Sequence, residues 1–398
     1  MKNKKTLRQI ALIAVTVILF TSCSLIFASC GRTSNPEDEM GLSFYLNDTK
    51  DGYYVKSYFD RTEYVIPDEY KGKPVIGIVE EGFFTGSKNI SGKNYNRTKY
   101  TKITVPDTLT YVGPNAFQYI EGCKYNEYEG AYYLGNDKNP YVVLVHAFGE
   151  NVIVADTCKI ICDYAISSKV ETLKISASVG YISFSAFGSA APRVILKEGN
   201  EVADQPTGLE TVSVDESNPN YKSVNNKMVL NKSGTRLLCA VADFGLVIPS
   251  TVEFVEPAAL IGGYSNFAEY SEEGSEYLPS ENNPHFILLY SSNGEIANDV
   301  KIIAQNACQS GKYVVPDSVV QVMPYAFNGK NVTVTVTSGG WFRANQYLDG
   351  MAYDFVVSAE SNKEKSTVLY LKEGDLDKVI VDNPNLLSWN HHQFRRYK

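Results

Sequence analysis

Seven cysteines, four histidines and 28 tyrosines are the side chains of this 398-residue chain with the most chemistry to offer. Cys158 and Cys162 stand four apart, with His146 the only nearby imidazole. A structural zinc site takes four ligands, so a second pair is required and is missing. Cys158, Cys239 and Cys308 sit instead in apolar stretches, where buried reduced thiols are expected; Cys123 lies in an insertion and could be reactive or disulfide-bonded. His391 and His392 share a basic end with Arg395, Arg396 and Lys398, which reads as solvated. Asn47-Asp48-Thr49-Lys50-Asp51-Gly52 has oxygen ligands for calcium but a lysine among them, and a hairpin turn explains it better. Metalloprotease, nucleophile-elbow, dinucleotide and phosphate-loop motifs are all missing. The expectation is a non-enzymatic chain with no catalytic residue, no metal and no cofactor.

Tyrosine is the exception. Tyr119, Tyr125, Tyr128, Tyr132 and Tyr133 crowd one stretch, and tyrosine supplies flat contact area with a polar end. Tyr125, Tyr128 and Tyr132 are the candidate ligand contacts; the competing reading pairs the same rings across strands.

The elements that must carry these side chains follow a repeat. Six anchors, Pro106, Ala155, Ser176, Pro249, Ala297 and Pro316, are each preceded by Val or Ile. Three residues on stands a hydrophobe or Cys, and six on Val or Ile. Ten on is always alanine: Ala116, Ala165, Ala186, Ala259, Ala307 and Ala326. Eleven on is Phe117, Ile166, Phe187, Leu260, Cys308 or Phe327. Residues two apart share a strand face, so pairs such as Ile103 with Val105 predict a short strand entering each anchor. Proline at the anchor lacks an amide hydrogen and turns the chain. At ten, only a methyl fits if two backbones approach closely. A unit of about 20 residues cannot bury its apolar face alone, so the units must stack. Ile66-Pro67 through Phe83 is a seventh, degenerate copy if five residues around Tyr70 to Pro74 are inserted.

With Val105-Pro106-Asp107 through Phe117 and Val315-Pro316-Asp317 through Phe327, and with Asp215-Glu216-Ser217-Asn218-Pro219-Asn220-Tyr221 as a link, the chain resembles BspA-like leucine-rich-repeat proteins. It departs from them where Ser176, Ala155 and Ala297 replace proline and Cys308 replaces Phe. The resemblance implies a bacterial surface protein linked to adhesion or host-protein binding. The expected fold is mainly β with short helical turns, a leucine-rich-repeat solenoid with inserted hairpins and a β-rich C-terminal cap. Its divisions are 42–330 for the solenoid, with a hairpin cap at 42–65, and 331–398 for the C-terminal cap. Two insertions look alike, Tyr133-Leu134 with Asn139-Pro140 and Tyr277-Leu278 with Asn283-Pro284, so 132–187 and 276–327 read as copies of one larger unit. A third, Tyr221 to Leu238, reads as a hairpin turning at Lys232-Ser233-Gly234.

Residues 1–30 read as a targeting segment: a positive start at Lys2, Lys4, Lys5 and Arg8, then an apolar run from Ile10. Thr21-Ser22-Cys23 and Ala28-Ser29-Cys30 both resemble a lipoprotein acylation site, with Cys30 preferred and Cys23 the alternative; an uncleaved anchor is a third reading. A polar linker, 31–41, follows. Each reading puts the repeats outside the cytoplasmic membrane, held to it only by an N-terminal lipid or signal anchor. Removing four basic residues takes the net charge from −8 to about −12. An acidic body without basic clusters argues against nucleic acid and anionic lipid as partners. The expected partner is an extracellular protein; a glycan is the alternative, and after it an enzyme without a recognisable motif.

Overall fold

The computed structural model describes residues 41–47, 49–57, 61–83, 100–117, 120, 122–188, 208–256, 258–261, 267, 274–308, 311–316, 318–323 and 326. It also describes the backbone of short strands at 332–336, 342–344, 370–372, 379–381 and 395–397. Cys23, Cys30, Tyr119, Phe327, His391 and His392 lie outside the described residues.

Among the described residues a strand at offset six recurs in all six repeats, and a strand leads into Pro106, Ala155, Ser176 and Pro316. The strand expected before each anchor is missing at Pro249, where Ile248 makes only an isolated bridge with Ser280, and at Ala297. One set leads into the anchors and pairs in parallel: Glu63–Val65 with Lys102–Thr104, and Asn151–Ile153 with Thr172–Ile175, which pairs in turn with Thr211–Val214. The second set holds the Val or Ile at offset six. Val143–Ala147, Ile160–Ile161 and Tyr181–Ile182 pair in parallel; so do Asn283–Ser291, Ile302–Ile303 and Gln321–Val322. The entering hairpin is formed as its sequence suggests, Leu42–Leu46 antiparallel to Tyr53–Ser57. The insertion after Pro67 folds as a second hairpin, Glu69–Tyr70 with Lys73–Ile78. Its two-residue turn, Lys71 and Gly72, has positive φ at both positions, 48° and 76°, as hairpin turns of this length require.

Backbone hydrogen bonds explain the spacing. The anchor carbonyl accepts the amide three residues on, as in Leu109 to Pro106, Cys158 to Ala155, Val179 to Ser176 and Val319 to Pro316. The next amide leaves for the preceding coil: Thr110 to Ile76, Lys159 to Val142, Gly180 to Lys159, Glu253 to Thr235, Lys301 to Phe286 and Val320 to Lys301, at 2.8–3.1 Å. A helix needs consecutive amides to point back along their own chain. That donor is already committed elsewhere, so the turn stops after one bond. The short helical turns expected from the sequence are therefore absent among the described residues, and the connections are turns and bends.

The alanine at ten is where two backbones meet. The carbonyls of Ala116, Ala165, Ala186, Ala259, Ala307 and Ala326 accept amides from Phe83, Ala147, Ile166, Ala240, Ser291 and Cys308 at 2.6–3.2 Å. All six alanines are at most 2% exposed, which leaves no room for a larger side chain.

Three apolar clusters follow one another along the chain, spanning Leu42 to Cys162, Ala131 to Ile261 and Met228 to Ala326. Inserted strands join them. Val143 and Val145 face the first cluster while Leu144 and Ala147 face the second. Leu238 and Cys239 face the second while Leu237 and Ala240 face the third. The insertion at Tyr221 has two turns rather than one: Asn225-Asn226, both at positive φ, separates Tyr221–Val224 from Met228–Asn231 before the expected turn at Ser233-Gly234. Asparagine tolerates the left-handed region, which is the signal that reading missed.

Strand Phe254–Val255 pairs in parallel with Arg236–Val241, and a side chain takes up the backbone of Val255. Gln321 Nε2 donates to the Val255 carbonyl at 2.6 Å, and its Oε1 accepts the Val255 amide at 3.0 Å. Beyond residue 330, Val332–Val336 pairs in parallel with Gly311–Val315, and Phe342–Ala344 with Gln321–Val322. Ala116→Leu should destabilise by about 1–3 kcal/mol through overpacking. Gln321→Glu, which cannot donate to Val255, should cost about 1–3 kcal/mol at neutral pH. Urea unfolding midpoints measure both.

Candidate functional site: inserted hairpins and a groove

The tyrosine-rich insertion is a hairpin, Asn126–Tyr128 with Ala131–Leu134, laid against Val143–Ala147. Tyr132 packs 4.5 Å from Phe148 and 5.7 Å from Tyr125, centroid to centroid, with His146 beside it at 6.4 Å. The Tyr125 hydroxyl is buried without a hydrogen bond, and burial holds its ionisation well above the usual range. Tyr128, 5.3 Å from Tyr141, is 37% exposed and is the one of the three candidates that turns to solvent. Packing thus engages Tyr125 and Tyr132 with their own hairpin.

All five described cysteines are free thiols, and Cys158, Cys162, Cys239 and Cys308 are buried. Burial pushes Cys158 up to about 12 and the half-buried Cys123 to about 11, so Cys123 carries little thiolate at neutral pH. No group of three or more potential metal ligands occurs among the described residues.

The two similar insertions perform one task. Tyr133 Oη accepts the amide of anchor Ala155 at 3.3 Å, and Tyr277 Oη accepts the amide of anchor Ala297 at 3.1 Å. Proline has no such hydrogen, which accounts for alanine at both anchors. The third departure has its own reason: anchor Ser176 donates its hydroxyl to the Ala155 carbonyl at 3.0 Å. These coils keep the same inter-coil bonds as the proline coils. The Asn-Pro pairs are locks of a second kind. Asn139 Nδ2 donates to the Thr157 carbonyl and Asn283 Nδ2 to the Asp299 carbonyl, each two residues past its anchor. Their side-chain oxygens accept the amides of Tyr141 and His285. Asn218 follows suit, accepting from Asn220 and donating to Ser176 and Val179.

Beside the second hairpin the two coils leave a groove of about 740 Å³, walled by Tyr277, His285, Glu295, Asn298, Val314 and Pro316. Glu295 and Val314 stand at equivalent places, two residues before successive anchors. His285 Nδ1 lies 2.9 Å from Asp299 Oδ1, and both side chains are open to solvent, 42% and 49% exposed. A carboxylate only accepts, so Nδ1 carries the proton that points at Asp299 and the second ring nitrogen is left for another partner. Tyr277 meets the imidazole edge to face at 4.8 Å. The sequence reading missed this pair because fourteen residues separate its members.

A row of rings was also missed. Tyr54, Tyr111 and Tyr181 follow one another at 5.8 and 5.2 Å, with Tyr54 lying across Gly77, where a Cβ would come within 2.4 Å of the ring. Tyr111 and Tyr181 occupy offset five, one residue before the core position, so alternation alone could have placed them on the opposite face.

No family model matches the chain, and no curated protein matches it. Among solved structures it is similar to a leucine-rich repeat protein from Eubacterium ventriosum, 18% identical, with 77% of each chain covered and a TM-score of 0.31. It is similar to a leucine rich cell surface protein from Faecalibacterium prausnitzii at 14% identity, over 90% of this chain and 97% of that one, with a TM-score of 0.24. Pneumococcal vaccine antigen PcpA matches at 10% identity over 90% and 98% of the two chains, with a TM-score of 0.28.

Ala155→Pro and Tyr133→Phe should each cost about 1–3 kcal/mol, because each strands one buried partner. The double variant should cost less than their sum, and a double-mutant cycle of urea unfolding checks this. His146 gives a pH test. Its ring is buried, Nε2 has no hydrogen bond, and desolvation followed by Lys169 depresses its pKa from 6.5 to about 4. The unfolded chain therefore takes the proton first, and this stability is complete above pH 6.5 and lost as pH falls towards 4, up to about 3 kcal/mol. The stability of the wild type relative to His146→Phe should fall as pH is lowered across that window in urea titrations.

Proposed function

We propose that the chain is a BspA-like leucine-rich-repeat solenoid that works as a recognition protein on a bacterial cell surface. Its role is to bind an extracellular protein and so adhere to another cell or matrix. The observation that carries this reading is the coil-to-coil bonding repeated at every alanine from Ala116 to Ala326. A stack built this way exposes a long surface, and the insertions vary that surface from coil to coil. Acylation at Cys30, or else Cys23, fixes it to the membrane with the repeats outside. A glycan ligand is the second reading, favoured by the mixed polar and apolar lining of the groove at Tyr277 and His285.

The full chain, purified in detergent, should bind at least one protein of an extracellular-matrix panel, or whole cells, saturably. Binding indistinguishable from a detergent blank across both would overturn the recognition reading. Metabolic labelling with a fatty acid should mark the wild type and lose its signal in Cys30→Ser; retention there with loss in Cys23→Ser moves the attachment to Cys23.

A further inference from the structure

The duplicated units permit an internal comparison. Tyr133 and Tyr277 occupy the same place, as do Asn139 and Asn283, and anchors Ala155 and Ala297. Tyr141 then corresponds to His285, and Asp156-Thr157 to Asn298-Asp299. The geometry agrees: Tyr133 meets Tyr141 at 5.3 Å and 71°, and Tyr277 meets His285 at 4.8 Å and 71°. The Asn-Pro lock and the tyrosine-to-anchor bond are present in both copies. The scaffold is therefore satisfied by Tyr and Thr. In the second copy both positions differ at once, and they differ into a hydrogen-bonded His285–Asp299 couple whose imidazole lines an open groove.

We infer that this groove is a binding site for a neutral polyhydroxylated ligand, a short stretch of uncharged glycan. This rests on the recognition reading and names the ligand class of one part of its surface. The volume of about 740 Å³ falls among ligand clefts, which run from roughly 300 to 1,000 Å³. Sugar hydroxyls need acceptors and donors side by side, and the wall supplies both. Glu295 accepts, the Asn298 amide does both, and the imidazole of His285, held by Asp299 behind it, presents its second nitrogen. Val314 and Pro316 offer apolar surface to the C–H faces of a sugar ring. Among the described residues no lysine or arginine lines the groove, which disfavours sulfated or sialylated chains.

The test is a printed array of neutral, sialylated and sulfated oligosaccharides probed with the detergent-purified full chain, with titration calorimetry on the neutral hits. Two variants are compared with the wild type. The first combines His285→Tyr with Asp299→Thr, restoring what the first unit carries. The second is Asn298→Asp, an exposed position that bears Asp156 in the first unit. Neutral oligosaccharides should bind the wild type, and each variant should weaken them about tenfold or more with an unchanged thermal midpoint. Absence of any neutral hit, or neutral binding that both variants leave intact, overturns the inference. Binding confined to anionic glycans, or a lysine-rich peptide that competes for the groove, overturns it as well. A chain that captures extracellular proteins but no oligosaccharide refutes the groove's ligand class and leaves the recognition reading standing; a chain that captures neither refutes both.

Discussion

Everything in this chain depends on one close approach: the carbonyl of the alanine at offset ten accepting an amide from the coil before it. The bond brings two backbones together where a Cβ methyl is the largest side chain that fits. From that contact the rest follows. The amide at offset four must also cross to the preceding coil, so the turn after each anchor cannot continue as a helix. The residue at offset six lies in a short parallel ladder, and the bulky residue at eleven fills the gap beyond. Stability is thus shared between neighbours, as expected for a stack whose units cannot fold alone.

Much of this was legible in the sequence. Alanine in every copy is a steric statement, and the spacing of Val and Ile told which face was inside. The hairpin at Leu42 to Ser57 and the duplicated insertions could be read from alternation and from Asn-Pro pairs. The helical turns could not be excluded, because the destination of the Thr110 or Lys159 amide is a tertiary fact. Gln321 is a clearer case. Nothing in its neighbourhood announces that its amide will act as a strand for Val255, 66 residues away. The tyrosines at 125 and 132 show the converse limit, since a cluster that suits a ligand is equally suited to packing on itself.

The candidate site became visible only by comparing one part of the chain with another. Tyr141 and Thr157 in one unit, His285 and Asp299 in the other, occupy positions whose structural duties are carried by Tyr133, Tyr277 and the two asparagines. Residues released from holding the scaffold are free to differ, and here they differ together. The same logic separates Tyr111 and Tyr181, half-buried in their row of rings, from Val112 and Ile182 directly after them in the core.

The hydroxyl that holds an anchor amide has a consequence for how such a gene can change. Unequal crossing-over between repeats that share a register would set a proline coil behind a Tyr133-type hairpin, or an alanine coil behind none. The first loses the hydrogen the phenol needs, and the second leaves a buried amide bare. Recombination joints that spare the fold are those that carry hairpin and coil together. The inherited module of this protein is then not the single coil of about 20 residues but the hairpin with the coil it locks.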